Sequence, residues 1–192
     1  MEIVRLDYIR DGEDDPAIKE YFVGPSFLGR QPNKEQLDLF RNILRCKEAT
    51  AVFDWWLGLV VDGHPPKKTS LLFREMAKFS ENLGLVVCKP DRTAQIRLAG
   101  SGVEELVGRS LRGMDLMKAA PFSTGLCELS WRSQIDERRV RYYRRDLRHF
   151  GRGFRDVGIL ELPVADGDKG RAKYVLSHIK AVDRSYTNGS IV

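Results

Sequence analysis

The chain has little of what sequences usually advertise their chemistry with. Its 192 residues hold three cysteines, Cys46, Cys88 and Cys127. They are odd in number, widely spaced and set among apolar neighbours, which argues against a disulfide framework or a zinc site and for buried free thiols. The three histidines, His64, His149 and His178, each stand alone, so none has the paired spacing of a metal-ligand set. No apolar run approaches the roughly 20 residues that cross a bilayer. Met1-Glu2-Ile3-Val4-Arg5 lacks the basic start and apolar centre of a signal peptide, so a soluble cytoplasmic protein is expected. No nucleophile stands beside a base, and Gly100-Ser101-Gly102 has no adjacent Lys to make it a phosphate loop. A hydrolase or transferase therefore has no residue-level support. Internal repeats and low-complexity segments are also missing.

What is present suffices for one well-buried core with flanking structure, at 42% hydrophobic content. The net charge of +5 permits an acidic partner without requiring one. Residues 1–34 read as an N-terminal extension, acidic and turn-rich at Asp11 to Pro16. Its Ile18, Tyr21, Phe22, Phe27 and Leu28 could pack on the main domain or on a second subunit, or the segment could stay a loose tail. A helical segment over 35–83 follows. Leu37, Phe40, Ile43 and Leu44 recur at helical spacing within 34–47. A second helix over 49–61 is apolar around much of its circumference through Phe53, Trp55 and Trp56, and a third after Ser70 uses Leu72, Met76, Phe79 and Leu83, with Gly84 as its stop.

The organising stretch is 85–111. Leu85 to Lys89 reads as a buried strand, Pro90-Asp91 as a turn, and Thr93 to Ala99 as a returning strand with Ala94, Ile96 and Leu98 on one face. Ser101 can cap a short helix, with Glu104 three residues on, and Gly108 ends it. Further on, Ser123 can cap a helix over 124–135, and three strands read over 138–148, 157–164 and 173–182, the last two joined at Asp166-Gly167.

Strand, turn, strand and capped helix, with the phrases Arg97-Leu98-Ala99-Gly100-Ser101 and Gly108-Arg109-Ser110-Leu111, resemble a bacterial PAS family common in alphaproteobacteria. The Trp55-Trp56 helix and Leu160-Glu161-Leu162-Pro163 fit the same family, whose members usually carry Thr where this chain has Ser101. The resemblance implies an α+β fold: a PAS-like five-stranded antiparallel sheet flanked by helices, with an N-terminal helical extension. It places a PAS core over 84–183 and a tail over 184–192. It further implies a non-enzymatic sensory domain that binds a small apolar ligand or a signalling partner and acts as a homodimer. The implied pocket is lined by Leu98, Leu106, Met114, Leu126 and His178, and the implied dimer or partner helices carry Phe40, Leu44, Trp55 and Trp56. With such a core over most of the chain, no effector domain is expected. Haem is not expected, because haem-binding relatives present their histidine from a helical segment whereas His178 lies on a late strand. Covalent flavin is not expected either, since Val107-Gly108-Arg109 stands where light-sensing relatives carry Asn-Cys-Arg.

Between Arg138 and Arg155 eight arginines face the single acid Asp146. Arg141, Arg144, Arg145 and Arg148, interleaved with Tyr142, Tyr143 and His149, could form a basic surface for nucleic acid or nucleotide. The competing reading is an edge strand protected from pairing by its charge.

Overall fold

The computed structural model describes residues 4–5, 18–44, 46–91, 93–116, 132–147, 152–167 and 172–182. Its strands are β1 (Val4–Arg5), β2 (Ile18–Ser26), β3 (Leu83–Cys88), β4 (Ala94–Ala99), β5 (Arg139–Leu147), β6 (Arg152–Ala165) and β7 (Ala172–Ala181). All pair antiparallel in one sheet of order β1-β2-β5-β6-β7-β3-β4. Five of them, in the order β4-β3-β7-β6-β5, make the expected PAS-like sheet: the opening hairpin places β3 beside the last strand, and β5 to β7 form a meander. The other two come from within residues 1–34 and extend the sheet past β5.

The hairpin turns where Pro90-Asp91 predicts. Asp91 Oδ1 accepts from the Thr93 backbone N–H at 3.0 Å and its hydroxyl at 2.7 Å, an Asx-type closure. One feature of the returning strand escapes the alternation rule. The pairing Leu85↔Leu98 and Val86↔Ile96 leaves Arg97 as an extra residue, a β-bulge. Leu98 is thereby turned to the opposite face from Ala94 and Ile96.

Four α-helices are described: α1 (Lys34–Ile43), α2 (Lys47–Gly58), α3 (Phe73–Met76) and α4 (Ser101–Val107). A capping box starts α1, with Asn33 Oδ1 accepting from the Gln36 backbone N–H at 2.8 Å and Gln36 Oε1 from that of Asn33 at 3.3 Å. The third expected helix is broken into 3₁₀ turns around α3, and Leu83 and Gly84 already belong to β3. At α4 the N-cap is Gly100 and Ser101 is the first helical residue. The Glu104 carboxylate reaches forward, not back, accepting from the Leu111 N–H and the Ser110 hydroxyl, each at 2.8 Å. Gly108 does end the helix, at φ +80°.

Two layers follow from where the apolar residues point. Helices α1 and α2 cover one face, where Phe40, Val52, Phe53 and Trp56 are fully buried against Leu83, Leu160, Leu162, Val164 and Leu176. Each such side chain contributes about 1.5–3 kcal/mol relative to exposure. Phe27, just past β2, meets the Trp56 ring edge-on at 4.9 Å. The opposite face lies under α4 and a π-helical turn, Arg132–Asp136.

Candidate functional site

The helix residues expected to reach a second subunit are used up inside the fold. Phe40, Leu44 and Trp56 are buried in the chain's own core, and the Trp56 indole N–H donates to the Pro163 carbonyl at 3.0 Å. Trp55 is half-buried, donating to Glu75 Oε2 at 2.9 Å and lying against Phe79. Phe40, Leu44 and Trp56 are thus covered by the chain's own core, and Trp55 packs on Phe79.

The implied pocket does not converge either. Leu98, displaced by the bulge, packs with the α1–α2 layer, and His178 lies beneath α2 with its Nε2 3.2 Å from Glu48 Oε1. Leu106 and Met114 lie on the opposite face, in two separate apolar clusters. Leu126 falls outside the described residues.

The arginines move furthest from expectation. Arg141, Arg144 and Arg145 are 1%, 3% and 2% exposed, so they form no basic surface. Nor is their strand an edge, since β5 is paired on both sides by β2 and β6. Arg148 falls outside the described residues. Arg144 points to the α2 face, 3.4 Å from both Glu20 and Asp156. Arg141 and Arg145 point to the α4 face.

Arg141 there begins a polar row. In register across three strands stand Arg141 on β5, Glu161 on β6 and Ser177 on β7, with Gly84 of β3 at the end. Arg141 Nη2 is ion-paired with Glu161 Oε2, its Nη1 donates to the Tyr21 hydroxyl at 2.8 Å, and Tyr143 donates to Glu161 Oε1 at 3.2 Å. The guanidinium also sits over the rings of Tyr21 and Tyr143. Burial alone would lower the Arg141 pKa, but Glu161 and the two phenols outweigh it and raise it. Burial, reinforced by the Glu161 charge, pushes the Tyr143 hydroxyl well above its ordinary value. The same two causes push the Cys88 thiol, on the same face, up to about 12. These groups stay protonated, and Arg141 and Tyr143 donate hydrogen bonds.

The row divides the face. Along β7, Ser177 lies between Val175 of one apolar cluster and Ile179, which touches both. A Cβ built on Gly84 would meet only ordinary contacts, so the row ends where a side chain has room. Over β5, β6 and β7 sits the π-helical turn. Its Gln134 is buried with neither amide atom hydrogen-bonded among the described residues. An orphaned carboxamide costs about 1–3 kcal/mol in a core, and π turns recur at functional sites. Sequence reading missed Gln134, Glu161 and Ser177. The only signal was two polar residues at inward positions of otherwise apolar strands.

The fold is PAS-like. That assignment rests on strand order, because no protein-family model matches the chain and no curated protein matches it. Among solved structures, it is similar to an RNA-binding light-oxygen-voltage receptor, at 16% identity and a TM-score of 0.40. The likeness covers 61% of this chain and 36% of that one, so the chain spans about a third of the receptor's length. A likeness of that size decides nothing about function. Among the described residues no helix is long and apolar enough to cross a membrane.

Proposed function

We propose that this chain is a non-enzymatic sensory module that recognises a small molecule on the α4 face and passes the event to a signalling partner or a second copy. The observation carrying this reading is the buried Gln134 carboxamide, without hydrogen bonds among the described residues, on the turn that lies over the strands of the Arg141–Glu161–Ser177 row. A face meant only to be core would fill those positions with apolar side chains. The donors there are held protonated, which suits recognition and disfavours proton transfer. Strand β7 supplies the route outward, since Ser177 faces the ligand side and the adjacent His178 is clasped to Glu48 of α2. A ligand moving this strand alters how α2 is held, and a few kcal/mol of differential affinity suffices to bias such a two-state element.

Burial of three of the four candidate arginines removes their support for a nucleic-acid face. The test is native mass spectrometry of protein purified from its own cells, with Gln134→Ala alongside. A small molecule at one per chain, depleted in the variant, is expected. Equal occupancy of both proteins would move the site elsewhere, and ligand-free wild type from every growth condition would overturn the reading.

A further inference from the structure

Of the four large hydrophobic side chains left exposed among the described residues, two stand at one corner of the molecule, Leu28 at 54% and Val61 at 67%. Backbone bonds draw that corner together. The Phe27 N–H donates to the Arg138 carbonyl at 3.1 Å, the Gly29 N–H to the Gly63 carbonyl at 3.0 Å and the His64 N–H to the Val61 carbonyl at 2.9 Å. Arg138 Nη1 also meets His64 Nδ1 at 3.2 Å. The turn that presents Val61 is tight: Asp62 and Gly63 take φ +50° and +68°, the left-handed pair of a hairpin reversal, and a Cβ on Gly63 would stand 2.3 Å from the Arg30 backbone. A cavity of about 430 Å³ shares Val61 as a wall, with Leu59, Pro65 and Pro66 beside it. Scattered apolar residues on a surface are ordinary, but two at one corner next to an apolar cavity mark a contact surface.

The same corner holds a charge of each sign that the chain itself does not answer. Asp62 is exposed and Arg138 half-buried, and neither forms an ion pair among the described residues, with the other or with anything else. Arg138 Nε is buried without a hydrogen bond there, and burial lowers the Arg138 pKa with no carboxylate to raise it. A guanidinium can only donate, so His64 Nδ1 accepts from Nη1 and leaves Nη2 for an incoming carboxylate. A partner that covers Leu28 and Val61 must therefore bring a carboxylate to Arg138 and a cation to Asp62. A second copy of this chain brings both, because a two-fold interface sets each residue of a pair against the other in both directions. The exposed Arg30 has a stem long enough to keep its head in solvent at the rim.

We infer that this corner is the contact face of a two-fold homodimer, in which Leu28 of each copy enters the other's cavity against Leu59, Val61 and the two prolines, and Asp62 of each pairs with Arg138 of the other. The face is distinct from the apolar stripes of α1 and α2, which are spent on the core. It stands whether or not a molecule binds under α4.

Sedimentation velocity of the full chain tests this, at loading concentrations from about 1 to 200 µM, the span in which interfaces of modest area associate. A monomer–dimer equilibrium is expected. Leu28→Glu and Val61→Glu each set a carboxylate into an apolar contact and should leave monomer throughout, with far-UV circular dichroism unchanged because both positions are exposed within one chain. Asp62→Asn, which keeps a residue tolerant of the left-handed backbone, should weaken the dimer by about tenfold, as should Arg138→Gln. Made together, the two should cost little more than either alone, since each removes the same ion pairs. Within one chain these residues do not pair, so that non-additivity arises only between copies. A chain still monomeric at the highest concentration, a dimer that Val61→Glu or Asp62→Asn leaves unchanged, or additive costs for Asp62→Asn and Arg138→Gln would each overturn the proposal.

Discussion

Beneath α1 and α2 the sheet contributes Leu83, Leu85, Leu160, Leu162, Val164 and Leu176 to one continuous apolar cluster. Beneath α4 the neighbouring positions of those strands contribute Gly84, Glu161 and Ser177, and the apolar residues separate into two clusters on either side. The alternation of a strand makes this possible, since adjacent residues serve opposite faces. The first face closes the fold around that cluster and also carries charged groups, Glu48 with His178 and Lys180, and the buried Arg144 with Glu20 and Asp156. The second interrupts its apolar surface with the Arg141–Glu161 pair and holds a buried amide without hydrogen bonds among the described residues. The contrast marks the α4 face as the one that a stability argument would have built differently.

The largest effect that could break this contrast is at Trp56. Trp56→Ala leaves a cavity against Phe27 and Phe53 and strips the Pro163 carbonyl of its donor, so a loss of about 3–5 kcal/mol is expected. The midpoint of urea unfolding reads it. A loss below that of an ordinary exposed substitution would show that α2 does not hold the sheet.

Next comes the buried pair. Glu161→Leu strands the Arg141 charge, and about 3 kcal/mol is expected, the low end for such pairs because Glu161 keeps 14% of its side chain exposed. Arg141→Met with Glu161→Leu together should recover most of that, because the double change leaves no unpaired charge. A double mutant as unstable as the single would mean that the row is a structural necessity, and the contrast between faces would collapse.

These two faces also divide what could be read from the sequence. The hairpin was legible because Pro90-Asp91 and the flanking apolar runs act locally. Leu98 was not, because a one-residue bulge reverses every parity argument beyond it. The burial of Arg141, Arg144 and Arg145 was hidden for a different reason. Composition reports charge, but whether a strand is central depends on a partner recruited from far away. Here β2 joins β5 and brings Glu20 to Arg144 and Tyr21 to Arg141. Likewise the apolar stripes of α1 and α2 predicted that something must cover them; only long-range topology decides that it is this chain's own sheet.

Acid offers a smaller and graded effect on the first face. Glu48 is clasped by Lys180, by Asn82 at 2.7 Å and by His178, and Cys46 and Glu81 act on Lys180 in turn. Although burial works against it, these bonds hold its carboxyl near 2. The stability it contributes is present above its ordinary value of 4.5 and is lost as pH falls toward 2. Burial lowers the His178 pKa against the pull of Glu48, so the unfolded chain takes up a proton there first. The contribution of neutral His178 is complete above its ordinary value of 6.5 and declines as pH falls below it. Unfolding midpoints measured against pH should therefore fall in two stages. His178→Gln removes the upper stage and Glu48→Gln the lower; a single unaltered stage in both variants would mean that the clasp is not what titrates.

The smallest expected change is the most informative about the second face. Gln134→Leu replaces a buried amide lacking hydrogen bonds among the described residues with a side chain of similar volume that needs none. A core position would reward this, so stability should stay level or rise by about 1–2 kcal/mol. Any bound molecule should be lost at the same time. Stability and occupancy moving in opposite directions is the signature of a position kept polar for recognition. If the variant is destabilised instead, Gln134 has a structural partner, and the two faces differ in composition alone.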